Sequence, residues 1–493
     1  MQRVRGGGFP ARFLAWAWER RLFAGNLMRV LSVASEAFPL VKTGGLADVV
    51  GALPDALAPH GVQTTTMIPG YPVVGKAMKG AKVVRRWTDL MDTEARLLAG
   101  RIGDHDLIVL DAPALFNRAG GLYGHADDWR RFAALARAAA DVAADGGYDL
   151  LHAHDWQAAL APAYLRYAGT AVRSVMTVHN IAFQGQFGAD IFPALGLPDA
   201  AWGIDGVEYY GGVGFLKAGL EAAEANTTVS PTYASEIREN RFGMGLEGLI
   251  EARGARVHGI VNGIDPAVWN PEIDTALPQR YTARALGRRR ANKRAVEKMF
   301  GLAPGDGPLF TVISRLTWQK GMDVLAHCLD MLVAAGGRLA LLGSGDAPLE
   351  QAFLAAAARH PGKIGVRIGY DEPLSHLLQG GADAILIPSR FEPCGLTQLY
   401  GLAYGCVPVV ARTGGLADTV IDANAAALAA GVATGFQHGD VSDHSLSHAI
   451  MRTIRAYARP DLWCTIQRNG MRADFSWTES GRRYADLYKS LIA

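Results

Sequence analysis

The residues of this chain best suited to chemistry are Glu392, Arg315 and Lys320. Glu392 stands in Pro388-Ser-Arg-Phe-Glu392-Pro-Cys-Gly395-Leu-Thr397-Gln-Leu-Tyr400, between an apolar run, Asp383–Pro388, and an amphipathic stretch, Thr397–Tyr404. That order predicts a buried parallel strand, a tight loop and a helix N-terminus. Such loops deliver functional groups in open α/β sheets. Gly395 lets the backbone approach a ligand closely, and the N–H groups around Leu396 and Thr397 would face an anion. A sugar joined to a phosphate suits a carboxylate and an anion cradle a few residues apart. Arg315 and Lys320 flank the turn Arg315-Leu-Thr-Trp-Gln-Lys320-Gly, between a predicted strand, Leu309–Ser314, and a helix to about Ala335. Two cations beside a helix start can clamp a diphosphate. Charge-assisted hydrogen bonds are worth roughly 1.5–3 kcal/mol each, and a clamp that tightens on a departing diphosphate lowers the barrier electrostatically. Carboxylate and clamp together point to glycosyl transfer.

Similar ends recur earlier in the chain. Lys42-Thr-Gly-Gly-Leu-Ala-Asp48 follows the apolar run Val30–Glu36 and precedes a helix through Leu57. It reads as an anion loop, with Lys42 as a mobile cation and Gly44 and Gly45 leaving room for a phosphate, or equally as a turn with a solvated lysine. It is neither GxGxxG nor a P-loop. Thr413–Asp418 repeats Thr43–Asp48 letter for letter, after a predicted strand at Val407–Ala411. The pair is expected to form two glycine-rich helix starts bordering one cleft, and not a solenoid repeat. Predicted strands also end in His154-Asp155 and in His179-Asn180, on one carboxyl edge. His152, His154 and His179 are read as hydrogen-bonded edge histidines, because no HExxH or Asp-x-Asp pattern supports a metal site. Tyr370 follows a predicted strand at Lys363–Ile368, and Asn262 closes the first half.

The elements that must position these groups alternate strand and helix. Strands are expected at Thr64–Pro69, Asp106–Ala112, Glu224–Ser230 and Arg338–Leu342, a loop holding Tyr123 at Asn117–Asp128, and a helix at Trp129–Ala144. Trp269–Arg290 reads as the crossover between domains. The tail from Ser445 is helical and carries Trp463, Phe475, Trp477, Tyr484 and Tyr488 as apolar anchors. The fold class is α/β: two doubly wound, Rossmann-like domains facing across a deep cleft. The expected division is an N-terminal extension, 1–27, outside the fold; an acceptor-side domain, 28–262; a nucleotide-sugar domain, 263–475; and a last helix, 476–493, crossing back.

Totals narrow the class. The chain has 493 residues, with 49 Lys and Arg against 47 Asp and Glu, a formal charge of +2. No nucleic-acid footprint follows. Four scattered cysteines without a CxxC pair argue against a disulfide framework or zinc site and for a cytoplasmic location. No apolar run is long enough to span a bilayer.

Lys42–Asp48, His152–Trp156, Thr177–Asn180, Ser314–Gly321 and Pro388–Gln398 together resemble the bacterial glycogen synthases, the ADP-glucose-dependent type related to plant starch synthases. The resemblance runs from Met28 to the C-terminus and implies a GT-B fold. It implies a retaining glucosyltransferase that moves glucose from ADP-glucose to the non-reducing 4-hydroxyl of an α-1,4-glucan, releasing ADP and needing neither metal nor cofactor. It places Lys42, Gly44, Gly45 and Asp48 at the donor, Arg315 and Lys320 on its phosphates and Tyr370 on its adenine. Glu392 would bind the transferred glucose, with Cys394, Gly395, Leu396 and Thr397 beside it, and His179 would orient the sugar near its 6-hydroxyl. Asp155, Asn180 and Asn262 fall near the acceptor. Tyr123 aligns with a donor-side tyrosine, in a loop shorter than the family's. A UDP-glucose transferase, or a silent glucan-binding protein, would share the fold; intact Lys42, His179, Arg315, Lys320 and Glu392 speak against the second.

Overall fold

The computed structural model describes residues 27–493. The expectation for the N-terminal extension therefore lies, Leu27 apart, outside the described residues. The chain forms two units. The first runs to Val229 and adds Ala234–Ile260 and Trp477–Ala493; the second comprises Ser230–Tyr233 and Val261–Ser476. Asn262 thus belongs to the second unit.

In chain order the strands of the first unit are β1 (Met28–Val33), β2 (Val62–Pro69), β3 (Lys82–Trp87), β4 (Ala95–Ile102), β5 (His105–Asp111), β6 (Leu150–His154) and β7 (Arg173–Val178). Three short strands, β8 (Gln186–Phe187), β9 (Glu208–Tyr209) and β10 (Gly212–Gly214), make a separate antiparallel sheet. Then follow β11 (Ala225–Thr228) and β12 (Val257–Gly259). The main sheet has the order β12-β11-β7-β6-β1-β2-β5-β4-β3. Its central strands are apolar runs covered on both faces, which is why they pair in parallel. Only the β3–β4–β5 edge is antiparallel. That edge was not expected from the sequence, because β3 buries only Val84 and its charged residues mask the pattern.

The chain builds outward from β1 on one side, then returns to lay β6 against the other side of β1. The sheet therefore reverses direction between β1 and β6. In open parallel sheets such a reversal opens a crevice beyond the carboxyl ends of the two strands. The final helix, Trp477–Ile492, joins the core of this unit, with Tyr484 and Tyr488 fully buried among Val30, Leu53, Val62 and Leu150.

The second unit holds β13 (Leu309–Ile313), β14 (Arg338–Gly343), β15 (Ile364–Ile368), β16 (Ala384–Ile387), β17 (Val407–Ala411) and β18 (Phe436–His438), in the order β15-β14-β13-β16-β17-β18, all parallel. Here the reversal falls between β13 and β16. Asp383 ties these two strands together. Its carboxylate accepts the Leu309 backbone N–H at 2.8 Å and pairs with buried Lys293 at 2.7 Å.

The structure corrects the reading of Trp269–Arg290 as a crossover. Leu277, Tyr281 and Leu286 are buried with Tyr404 in the second unit, and the Tyr281 hydroxyl donates to the Tyr404 carbonyl at 2.7 Å. Widely spaced apolar residues separated by Pro and charge carry no helical or strand period, so their burial was invisible in sequence. No helix among the described residues is long and apolar enough to cross a membrane.

Gly481 lets the final helix approach the helix Gly45–Leu57. A Cβ there would lie 2.3 Å from the Ala56 carbonyl oxygen. Gly481→Leu should destabilise the first unit by about 1–3 kcal/mol, read as a lowered urea midpoint; an unchanged midpoint would show that this close contact is not needed.

Candidate active site

Each unit carries one cluster of polar groups at its reversal point. In the second unit, β13 ends at Ile313 and the chain turns through Ser314–Gly321, while β16 ends at Ile387 and leads into Pro388–Leu396. Lys320 Nζ meets Glu392 Oε2 at 2.5 Å, and Ser389 Oγ donates to the same oxygen at 2.8 Å. Both charged side chains are largely covered, at 16% and 10% exposure, so removing either would leave a half-buried charge without its partner.

Backbone geometry presses the turn and the loop together. The Arg390 N–H donates to the Gln319 carbonyl at 2.9 Å, and Gln319 Nε2 donates to the Phe391 carbonyl at 3.3 Å. Gly321 sits at φ +67°, and a Cβ there would lie 2.0 Å from the Pro388 carbonyl oxygen. Arg390 completes the clamp. Its guanidinium forks onto both Asp323 oxygens at 2.7 Å and lies 4.3 Å above the centre of the Trp318 ring. Fork and ring stacking together require an arginine. Arg315 is exposed, and among the described residues its guanidinium makes only a long 3.5 Å contact, to Gln319.

Gly395 adopts the left-handed φ of +71° that ends the loop. Gln398 folds back to donate to the Cys394 and Gly395 carbonyls at 3.0 and 2.8 Å. The helix Thr397–Tyr404 then starts at Leu396 without a side-chain cap, so its first N–H groups stay available beside Glu392. Burial pushes the Cys394 thiol up to about 12, which makes it inert packing and not a nucleophile. Asn262 is buried beside Cys394, with no hydrogen-bond partner for its side-chain oxygen among the described residues. Tyr370 lies just beyond β15, at the carboxyl edge, and is 69% exposed.

The two copies of Thr-Gly-Gly-Leu-Ala-Asp do different physical work. A Cβ on Gly44 would meet nothing within 4 Å, whereas on Gly414 it would lie 2.0 Å from the Glu392 carbonyl oxygen and on Gly415 2.1 Å from that of Cys394. The first copy leaves open space. The second also opens a helix, Gly414–Thr419, and packs against the Glu392 loop and holds it.

In the first unit the loop after β1 and the start of the segment after β6 lie side by side. Glu36, buried at 2% exposure, accepts hydrogen bonds from the Thr43 N–H and hydroxyl and from the Tyr123 hydroxyl. Tyr123 also meets Ser35 Oγ at 2.8 Å, so the short loop still delivers this ring to the cluster. Lys42 Nζ pairs with Asp48 at 2.8 Å while both remain partly exposed, at 33% and 25%. Such a pair is weak and exchangeable.

Asp155 follows β6 at φ +55°, an unusual conformation for a residue with a side chain. Its carboxylate accepts the His179 N–H at 2.7 Å and also that of Asn180. Burial raises its pKa to about 7, against the pull of those two donors. The three histidines form two hydrogen-bonded chains. His152 lies between Tyr488 of the final helix, at 2.7 Å, and Thr177, at 2.5 Å; His154 lies between Ser32 and His179. Burial lowers the pKa of His152 and of His179 to about 3 and that of His154 well below the ordinary value, so all three rings are neutral.

The second unit therefore brings together Arg315, Lys320, Glu392, Cys394, Gly395, Leu396 and Thr397, with Asn262 behind them and Tyr370 along the same edge. The first brings together Lys42, Gly44, Gly45, Asp48, Tyr123, Asp155, His179 and Asn180. Sequence reasoning passed over Glu36, Ser32, Ser389 and Arg390. Glu36, Ser32 and Arg390 act through neighbours remote in sequence, and Ser389 through Glu392 three residues on; the local signal was their place within, or just before, motifs already singled out.

Comparison with known proteins adds a family. A model for the starch synthase catalytic domain matches residues 29–252, and one for glycosyl transferases group 1 matches residues 294–456. The glycogen synthase of Novosphingobium aromaticivorans is 65% identical over 480 residues, spanning 94% of this chain and 99% of its own. That of Mesorhizobium japonicum is 62% identical, with 94% and 99% covered. Among solved structures, the catalytic domain of starch synthase IV from Arabidopsis thaliana, bound to ADP and acarbose, is similar with a TM-score of 0.84 at 30% identity, over 95% of this chain and 100% of that one. Sucrose-phosphate synthase from Thermosynechococcus elongatus, at 18% identity and a TM-score of 0.59 over 94% of this chain and 99% of its own, shares the fold.

The raised pKa of Asp155 sets a testable pH dependence. Between its ordinary value of 3.8 and about 7, the folded chain holds a proton that the unfolded chain releases, so this contribution to stability is full below that window and lost as the pH rises through it. Asn keeps an acceptor oxygen, tolerates positive φ and does not titrate. Asp155→Asn should therefore gain stability relative to wild type as the pH is raised across the window, measured as the difference in melting temperature. A difference that is flat with pH would show that Asp155 ionises normally.

Proposed function

The chain belongs to the glycogen synthase family, and from that premise we propose how its residues share the reaction. It is a glycosyltransferase with two Rossmann-like domains of the GT-B type, and it transfers glucosyl units to lengthen glycogen. The donor in our reading is ADP-glucose, in keeping with the ADP-bound Arabidopsis starch synthase. The acceptor is the non-reducing 4-hydroxyl of an α-1,4-glucan. We place the reaction in the cytoplasm, which suits a chain whose four cysteines are all free thiols.

The observation that carries this reading is the Lys320–Glu392 pair at the reversal between β13 and β16. Glu392 accepts hydroxyl hydrogen bonds from the transferred glucose. Lys320, already on Glu392, shares its remaining N–H donors with the diphosphate, and exposed Arg315 closes on the same group. The N–H groups at Leu396 and Thr397 take the distal phosphate, and Tyr370 stacks on the adenine. In the first unit, Lys42 and the open backbone at Gly44 and Gly45 add donors for phosphate. Asp48 releases Lys42 to that task, and His179 bonds the sugar near its 6-hydroxyl. Asp155 fixes the backbone of His179 and Asn180.

Retention by double displacement needs a carboxylate nucleophile with a second carboxyl as acid and base. Glu392 Oε2 is committed to Lys320 and Ser389, which suits a binding group better than a nucleophile. We therefore favour front-face transfer. The bond from the anomeric carbon to the diphosphate oxygen breaks with its electron pair on ADP. The acceptor oxygen bonds the anomeric carbon from the same face, and its proton passes to the departing phosphate. Lys320 and Arg315 stabilise the charge as it develops.

Labelled glucose should enter glycogen from ADP-glucose and at least about tenfold more slowly from UDP-glucose, the margin expected for one or two altered base contacts. Glu392→Ala should cut transfer by about a thousandfold, with no glucosyl adduct trapped on Glu392 in the wild-type enzyme. Rapid transfer by Glu392→Ala, or an on-pathway glucosyl-Glu392 ester, would sink this reading.

A further inference from the structure

We infer that Ser32 and His154 are positioning residues that hold His179 in one tautomer, with its proton on Nδ1, so that it meets the sugar only as a hydrogen-bond donor. The inference rests on the placing of His179 against the transferred glucose proposed above. Ser32 is on β1, His154 ends β6 and His179 follows β7, three neighbouring strands of one parallel sheet. Ser32 Oγ lies 3.1 Å from His154 Nε2, and His154 Nδ1 lies 3.1 Å from His179 Nε2. Ser32 and His154 are buried, at 1% and 0% exposure.

Each neutral imidazole carries one N–H, so the chain has two self-consistent wirings. They differ in where the Ser32 proton goes. Its only hydrogen-bond partner among the described residues is His154 Nε2, and a buried hydroxyl proton without an acceptor is costly. Ser32 therefore donates to His154 Nε2. His154 must then carry its own proton on Nδ1 and donate it to His179 Nε2, which leaves the His179 proton on Nδ1. That nitrogen has no hydrogen-bond partner among the described residues, and the ring is only half-buried. The reverse wiring would strand the Ser32 proton and turn His179 Nδ1 into an acceptor.

The consequence is chemical. His179 cannot take a proton from the substrate through its outward nitrogen, because that nitrogen already bears one. It fixes a sugar hydroxyl as acceptor and leaves that hydroxyl's own proton pointing elsewhere. The relay works because burial on all sides denies water to Ser32 and His154, so one hydroxyl on β1 dictates a donor two strands away.

Two-bond ¹H–¹⁵N correlation on the full chain labelled in histidine reads the tautomer directly, with His179 assigned by its loss in His179→Gln. Wild type should show His179 protonated on Nδ1. Ser32→Ala should bring in the Nε2-protonated form and lower kcat/KM for ADP-glucose by about fivefold to tenfold, the loss of one oriented neutral hydrogen bond. Asn at 154 can present an amide N–H in place of Nδ1 without help from Ser32. Adding His154→Asn to Ser32→Ala should therefore restore both the tautomer and the rate, which a mere packing defect would not allow. An unchanged tautomer in Ser32→Ala overturns the proposal. If that variant does not fold, an Nε2-protonated His179 in wild type overturns it equally. A changed tautomer with unchanged kcat/KM upholds the relay and overturns instead the placing of His179 against the sugar.

Discussion

Parallel strands cannot follow one another directly; each needs a crossover over a face of the sheet. Where the crossovers change side, two neighbouring strands send their chains away in opposite directions, and the backbone beyond their carboxyl ends is left uncovered. Every candidate group of this chain that bears charge or sits on a strained residue depends on that constraint. In the second unit, the reversal between β13 and β16 sets the Arg315–Lys320 turn beside the Glu392 loop. In the first, the reversal between β1 and β6 sets Glu36 and the Gly44 loop beside Asp155. The sheet supplies position; the side chains then need only to be held at the right tilt.

Holding them is where much of the buried polarity goes. Asp383 and Lys293 lock the strand pair from below, Arg390 and Asp323 lock the turn to the loop, and Gly414 and Gly415 let a second helix start lie directly under Glu392. In the first unit Glu36 gathers the Thr43 loop and Tyr123, while Asp155 accepts a tilt unfavourable for its own backbone to fix two N–H groups. A mispaired group in such a setting costs more than a surface pair can return, so these supports belong to the function as much as the groups that meet substrate.

Much of this was legible in sequence. A strand followed by Arg-x-x-x-x-Lys, or ending in His-Asp, announces its own carboxyl end, because apolar residues stop where polar ones begin. Glu392 stood out for the same reason. The rest depended on partners distant in the chain. Arg390 lay inside a motif already singled out, but its role comes from Asp323 and Trp318, 67 and 72 residues earlier. Glu36 looked like the polar end of a strand until Thr43 and Tyr123 closed on it. The repeated hexapeptide opens a helix in both copies, as its letters suggest, but its packing was not legible. Its glycines look alike in letters, yet one copy leaves space and the other fills it, since what a missing Cβ permits is decided by what approaches. Trp269–Arg290 has no period to read, and partners on other elements, Tyr404 and His376 among them, show that it is core.

The central claim is that the Arg315–Lys320 turn, held against Glu392, receives the leaving diphosphate. A crystal structure of the enzyme with ADP tests it most directly. The account predicts the distal phosphate within hydrogen-bond distance of Lys320 Nζ and the Arg315 guanidinium, with Lys320 still touching Glu392. Density for ADP away from the ends of β13 and β16, with that turn and loop unliganded, would contradict it.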